Sequence, residues 1–353
     1  MLYILVAILI FGILIMTHEL GHFLMAKLFN VRVNEFSICM GPAIWERTVG
    51  ETTYAVRCIP IGGYCAMEGE DEDSDDPRAF TSALPWKRAL ILVAGSFMNF
   101  MTGLIALVIM YSTVSGFSTP VIVGFYANCP YESETGLQVG DELYRIDGKR
   151  VYLYSDVNML MERNESGQYD LTIKRDGSLI ELQNYPMEKI AYEKNGKTEY
   201  LYGLYFGYEE KTVGSVLKNA WFTAVDFARM IWMSLFDLIK GMVSVKDMSG
   251  PVGIVSVIAE TGEKSETSAM AALNIAYLGA FIAVNLAVMN MLPIPALDGG
   301  RVFFLMITWI VEKIIRRKID HKYEGYIHAV GMVLLLALIA FVTMKDIWTL
   351  FVR

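Results

Sequence analysis

Residues 2–24 read LYILVAILIFGILIMTHELGHFL, a hydrophobic run that carries His18, Glu19 and His22 toward its end. About 20 apolar residues are enough for a helix to cross a bilayer. On a helix, residues four apart share one face, so His18 and His22 can offer two imidazole nitrogens to one metal, with Glu19 placed to handle a proton. The spacing is that of zinc-assisted hydrolysis, set here inside an apolar span. The alternative is a pair of histidines that cap or line a helix without a metal. Against it, only four histidines occur in the chain and two fall here. His and Glu in an apolar span also cost on the order of 2–4 kcal/mol each unless paired or functional.

The chain has 353 residues, of which 54% are hydrophobic, room for a membrane core plus one small soluble domain rather than a single soluble globule. Its formal charge is −8 and it has no sustained Lys/Arg run, so nucleic acid is not expected as a partner. Cys39, Cys58, Cys65 and Cys129 form no CxxC pair and show no regular spacing, so they suggest neither a disulfide framework nor a structural zinc site. The first run lacks a basic leader region, and Met16-Thr17-His18-Glu19 offers no small-residue cleavage site, so it is expected to be a retained span.

Four segments are long and apolar enough to cross a bilayer, near 2–24, 89–114, 270–292 and 326–344. Lys27 and Arg32 follow the first, and Lys87 and Arg88 precede the second, so the connection between them is expected on the cytoplasmic side. Arg316, Arg317, Lys318 and Lys322 mark the same side between the third and fourth spans. The expected topology has both termini outside. His18 then lies roughly 24 Å along the first helix from its outer end, nearer the cytoplasmic surface.

Between the first two spans, residues 54–60 read as a strand and Ile61-Gly62-Gly63-Tyr64 as a turn, which suggests a hairpin dipping toward the histidines. The acidic run 68–76 is read as a solvated loop rather than a metal-binding tract. From about 116 to 187 the chain is β-rich, with strands expected at 121–123, 143–149 and 169–174 and a helix at 155–161. Gly136-Leu137-Gln138-Val139-Gly140-Asp141-Glu142-Leu143, followed by Ile146-Asp147-Gly148 and Arg175-Asp176-Gly177, resembles a PDZ domain of the protease-associated kind, without the tandem-glycine carboxylate loop of signalling PDZ domains. Residues 213–245 are loosely amphipathic and are expected on the outer membrane surface or packed against the helices, with a fifth crossing as the alternative.

Catalytic zinc usually takes three protein ligands. Asp298 is the best candidate for the third, in Asn290-Met291-Leu292-Pro293-Ile294-Pro295-Ala296-Leu297-Asp298-Gly299-Gly300 at the end of the third span. There prolines break the helix, and an irregular backbone can aim a carboxylate into a protein-lined cavity. The competing reading is an ordinary helix cap.

HExxH in the first span, NxxPxPxLDGG in a late span and a PDZ-like segment between them resemble the site-2 protease family of intramembrane zinc metalloproteases, in particular its RseP-like bacterial branch with one PDZ domain. Further likenesses are residues 59–70, similar to the family's membrane-reentrant β-loop, Gly95 with Asn99, Ser249-Gly250-Pro251-Val252-Gly253-Ile254 and, more faintly, Lys345-Asp346. Ser96 and Cys65-Ala66 depart from the family's usual residues. The resemblance implies a membrane α-helical fold of about four transmembrane helices, with a reentrant β-hairpin and one inserted extracytoplasmic PDZ domain. The expected regions are a membrane core at 1–115, the PDZ domain at 116–190, an amphipathic region at 191–265 and a second membrane core at 266–353.

Also implied is Zn2+ held by His18, His22 and Asp298, with Glu19 as the catalytic base. Asn290, Asn285, Gly62 and Gly63 are the expected substrate-binding residues, although interhelical hydrogen bonding is the plain alternative for the two asparagines. The implied activity is hydrolysis of peptide bonds in transmembrane segments of single-span proteins, such as anti-sigma factors or remnant signal peptides, in a bacterial inner membrane. The bilayer is one partner, and the PDZ domain allows an extracytoplasmic peptide as another. The rival readings are a non-catalytic PDZ-bearing membrane scaffold, which has no need of Glu19, and a metal transporter, which calls for polar residues along several spans.

Overall fold

The structure is a computed structural model that describes residues 1–70, 74–164, 166–194, 197–242, 249–316 and 322–352. The expected solvated acidic run therefore lies partly outside the described residues, at 71–73, as do Arg317 and Lys318 of the basic segment and residues 243–245 of the amphipathic stretch. Contacts divide the chain into two compact units, one of residues 1–107 with 227–353 and one of 108–226.

Four helices of the described residues are long and apolar enough to cross a membrane. Helix α1 (Leu2–Leu28), α2 (Pro85–Tyr111), α6 (Ser268–Asn290) and α8 (Lys322–Val352) overlap the four expected segments; α2 and α6 end before residues 114 and 292, and α8 runs on well past residue 344. α4 (Val213–Ile239) is not among the four. It is continuous and buries Val216, Ala220, Thr223, Ala224, Phe227 and Ile231 at helical spacing, the single buried stripe of an amphipathic helix. Two further helices, α5 (Pro251–Lys264) and α7 (Asp298–Ile315), were not anticipated as elements. Pro251 starts the former at a position where a missing N–H costs nothing.

In the first unit α1, α5 and α6 meet through Ala7, Leu14, Ile258, Ile275, Ile282 and Ala283. At the other end of α1, Ala26, Val31, Val33, Met67, Phe80 and Ile91 tie it to α2 and to the strands β1 (Val33–Val49) and β2 (Thr52–Met67). The hairpin is wider than expected, and its turn is elsewhere. It closes at Gly50-Glu51, where Val49 faces Thr52, whereas 61–64 continues along β2. Gly62 sits there at φ 82°, so glycine marks an irregular strand instead of a reversal. Both strands bend, so that residues 35–38 face 63–66 on one side and 53–56 on the other. Residues 63–67 thereby form an edge with no strand partner on their far side among the described residues.

The acidic loop beyond β2 is anchored rather than merely solvated. Hydrogen bonds from Ser74 and Asn34 hold the Glu68 carboxyl below the usual carboxylate range.

In the second unit a six-stranded sheet runs β10 (Leu204–Glu210), β3 (Gly116–Phe125), β4 (Glu142–Ile146), β6 (Gln168–Arg175), β7 (Ser178–Pro186), with β5 (Lys149–Arg150) on β4. A separate hairpin joins β8 (Ile190–Lys194) to β9 (Lys197–Leu201). Asp147-Gly148 and Asp176-Gly177 have φ of 49° and 73°, and 50° and 82°, the paired positive angles of tight hairpin turns. The expected strand at 143–149 is thus a strand, a turn and a second short strand.

Tyr169, Leu171 and Ile173 alternate into the core with Ile122, Leu143 and Ile146, and α3 (Tyr154–Glu162) adds Val157 and Leu160. The expected boundary at 190 falls inside this unit, because β10 pairs with β3 some 80 residues earlier. Pairing at such separation leaves no trace in local periodicity.

Candidate metal centre

Helix α1 places His18 and His22 one turn apart, and their Nε2 atoms lie 3.2 Å from each other. From the opposite wall, Asp298 Oδ2 approaches to 3.1 Å from His18 Nε2 and 3.5 Å from His22 Nε2. Asp298 is the first residue of α7, and the N-cap position before it is Leu297, so Asp298 does not stand where a capping side chain would. The carboxylate is turned to the histidines instead of to its own helix. It is held there by tight backbone packing, since a Cβ on Gly299 would collide with the carbonyl of Met291, and one on Gly300 with that of Ile294.

These three donor atoms test the fit of a metal. A tetrahedral zinc with bonds of about 2.0–2.1 Å separates its ligand atoms by roughly 3.3 Å. The three observed separations, 3.1, 3.2 and 3.5 Å, bracket that edge. Asp298 Oδ2 is also buried without a hydrogen-bond partner that satisfies it, which is what an oxygen reserved for a cation looks like. Among the described residues no other group of three His, Cys, Asp or Glu side chains converges in this way. The donor set of two imidazoles and a carboxylate suits zinc.

Each histidine has a partner on its other nitrogen. His22 Nδ1 lies 2.8 Å from the carbonyl oxygen of Ile91 on α2, which fixes the proton on Nδ1 and leaves Nε2 as a lone pair. His18 Nδ1 faces the side-chain amide of the buried Asn99. Such closeness of α1 to α2 depends on two glycines. A Cβ on Gly21 would strike the backbone of Ala94, and one on Gly95 would enter the space of His22 Nε2 and come within 2.7 Å of His18 Cε1.

Glu19 points to the same side as the β2 edge, where a Cβ on Gly63 would sit 3.5 Å from Glu19 Cγ and 3.0 Å from the carbonyl of Ser37. Gly62 lies one residue before, against Met40. The structure thus brings His18, His22, Asp298, Glu19 and Gly63 together, with Gly62 adjoining. Asn285 and Asn290 sit half-buried on α6, and no side-chain hydrogen bond ties either to the cluster among the described residues.

The partners of the histidines were not anticipated as site residues. Asn99 and Gly95 stood out only as a family likeness, and Ile91 contributes a backbone atom that no side-chain pattern can reveal. Arg301 of α7 pairs with Glu70 beyond the end of β2, a further tie between the elements that carry Asp298 and Gly63.

The profile described as Peptidase family M50 matches residues 6–338. A Clostridium acetobutylicum protein described as a candidate zinc metalloprotease is 36% identical over 345 residues, 98% of this chain and 97% of its own length. The Bacillus subtilis protein named regulator of sigma-W protease RasP is 27% identical, with 98% of each chain covered. A Bacillus licheniformis protein named zinc metalloprotease RasP is also 27% identical over 98% of each chain.

Proposed function

The chain belongs to peptidase family M50, a membrane protease with zinc as its cofactor, and on that premise we propose that it is an intramembrane endopeptidase of the site-2 type that cuts transmembrane segments of single-span proteins. The observation that carries this reading is the convergence of His18, His22 and Asp298 on one point beside an apolar helix long enough to span a bilayer.

His18, His22 and Asp298 hold the metal, and Glu19 is the base. Bound zinc supplies a Lewis acid that lowers the pKa of water to about 7. Glu19 accepts the proton released by the attacking water and returns it to the departing amide nitrogen, so that the peptide leaves as an amine. Its neighbour Gly63 lacks a side chain, which lets the β2 edge pack closely against Glu19 and Ile15 of α1.

A helical substrate hides its carbonyls in its own hydrogen bonds and must be opened before attack. The unpaired edge at 63–67 supports a strand-addition role, in which backbone groups at Gly62 and Gly63 hold the opened segment in the extended form. In this reading the β1–β2 hairpin is membrane-reentrant. Asn290 and Asn285, near the end of α6, position the substrate.

The β-rich unit acts as a PDZ-type domain outside the cytoplasm. It filters what reaches the site or holds an extracytoplasmic peptide. The RasP name of two relatives, one of them a regulator of a sigma factor, supports an anti-sigma factor as substrate, in the inner membrane of a bacterium and in the RseP-like branch.

The test is cleavage of a single-span substrate in detergent or vesicles by the wild-type chain and by Glu19→Gln. The variant is expected to retain stoichiometric zinc and to lose activity by about 10²–10⁴-fold, the scale of general acid-base catalysis. Equal product from both would overturn the role of Glu19, and cleavage only of soluble peptides would overturn the intramembrane reading.

A further inference from the structure

The two histidines are oriented by unlike means. Ile91 gives His22 a backbone carbonyl, which accepts and never donates. Asn99 gives His18 an amide, which can do either. Asn99 is 1% exposed, and its Nδ2 stands 3.5 Å from His18 Nδ1 while its Oδ1 stands 3.3 Å from Thr17 Oγ1.

In that orientation the Thr17 hydroxyl faces two acceptors, Asn99 Oδ1 and the carbonyl of Leu14 at 3.1 Å, with one hydrogen for both. A donor at His18 Nδ1 also sends the ring's proton to Nε2, toward Asp298 Oδ2. That suits a pair of side chains without a cation. A metal needs His18 Nε2 bare.

The two ends of an amide have the same shape, so the hydrogen-bond pattern decides which end faces which neighbour. With the amide reversed, Nδ2 donates to Thr17 Oγ1, the Thr17 hydroxyl donates to Leu14, and Oδ1 accepts the proton of His18 Nδ1. Thr17 then donates to a single acceptor, Asn99 Oδ1 and His18 Nδ1 form a matched acceptor and donor, and Nε2 of His18 has the same bare lone pair as that of His22.

We propose that Asn99, steadied by Thr17, is a positioning residue that keeps the proton of His18 on Nδ1 and so reserves Nε2 for zinc. The proposal rests on the assignment of His18 as a metal ligand. Thr17 directly precedes the HExxH pattern, and Asn99 lies four residues beyond Gly95, so the same turn of α2 opens space for the ligands and orients one of them.

The experiment measures zinc affinity of the full-length, metal-stripped chain by competition with a chelating dye. Its variants are Asn99→Leu, Asn99→Asp, Thr17→Val and His18→Ala. Losing an outer partner of a ligating histidine costs about 10–100-fold in affinity, the range expected for Asn99→Leu. Asn99→Asp keeps an acceptor at His18 and is expected within about threefold of the parent, and Thr17→Val is expected to weaken zinc by about threefold or more.

Parental affinity in Asn99→Leu overturns the proposal, as does an aspartate variant as weak as the leucine one, since packing alone would then explain both. Should the leucine not be tolerated by the fold, parental affinity in Thr17→Val overturns it instead. His18→Ala separates this from the ligand assignment. If it binds zinc like the parent, the ligand set fails. If it loses zinc while Asn99→Leu does not, only the positioning role fails.

Discussion

The cluster on α1 and α2 and the β-rich unit at 108–226 both keep polar groups away from water, by opposite means. In the cluster, space is reserved by side chains that are missing: Gly21 and Gly95 let two helices close until a backbone carbonyl and a buried amide reach the histidines. In the β-rich unit, space is filled by side chains that are present, with Tyr169, Leu171, Ile146 and Leu143 nearly or wholly inaccessible. Asp141, wholly buried, is neutralised there by Arg175 at 2.7 Å and accepts a hydrogen bond from the N–H of Gln138 at 2.8 Å. Lipid gives no hydrophobic drive for helices to associate, so small residues and polar partners do that work, whereas in water the burial of apolar volume does it. Adding atoms should therefore damage the first region, and removing atoms the second.

The largest expected effect comes from Gly95→Val, whose side chain occupies the space of His22 Nε2. Zinc content by elemental analysis should fall to background while the helical circular dichroism remains. A variant with full zinc would break the comparison at its strongest point.

Leu171→Ala works in the opposite direction and should cost the β-rich unit about 2–5 kcal/mol, read as a lower melting temperature with zinc affinity unchanged. Next in size, Asp141→Ala leaves Arg175 without its carboxylate partner, with only the Gly136 carbonyl to accept from it, and should cost about 3 kcal/mol in the same melting experiment. No change there would mean that solvent at the Arg175 side already compensates the charge. The smallest effect belongs to Gly12→Ala on α1, where a Cβ meets nothing within 4 Å. Helix propensity predicts a gain of about 0.5–1 kcal/mol and no change in zinc affinity. A loss of zinc there would show that any added atom on α1 disturbs the site, not only one at the helix crossing.

Much of this was readable along the chain. The four long helices follow from apolar runs that no loop could carry, and the HExxH spacing works because a helix repeats every 3.6 residues. Asp298 was legible because the prolines just before it break the helix of the third span. The hairpin was harder. Gly62-Gly63 looked like a reversal, yet the reversal is at Gly50-Glu51, since glycine serves equally for turns and for irregular strands that another element must approach. The β10 strand went unseen because its partner β3 is remote in sequence. α5 and α7 are short or flanked by charge, so neither carries the hydropathy of a span.

By itself, then, the sequence determined which residues can bind a metal, which segments are apolar enough for lipid, and where a carboxylate stands beside two imidazoles. Those properties are written in residue type and in the fixed repeat of a helix. Tertiary structure alone decided that Asp298 turns away from its own helix toward His18 and His22, that Ile91 and Asn99 face the outer nitrogens, and that Gly63 borders Glu19. The physical reason is that these contacts join helices and strands far apart in the chain, and their distances are set by close packing, which local periodicity does not encode.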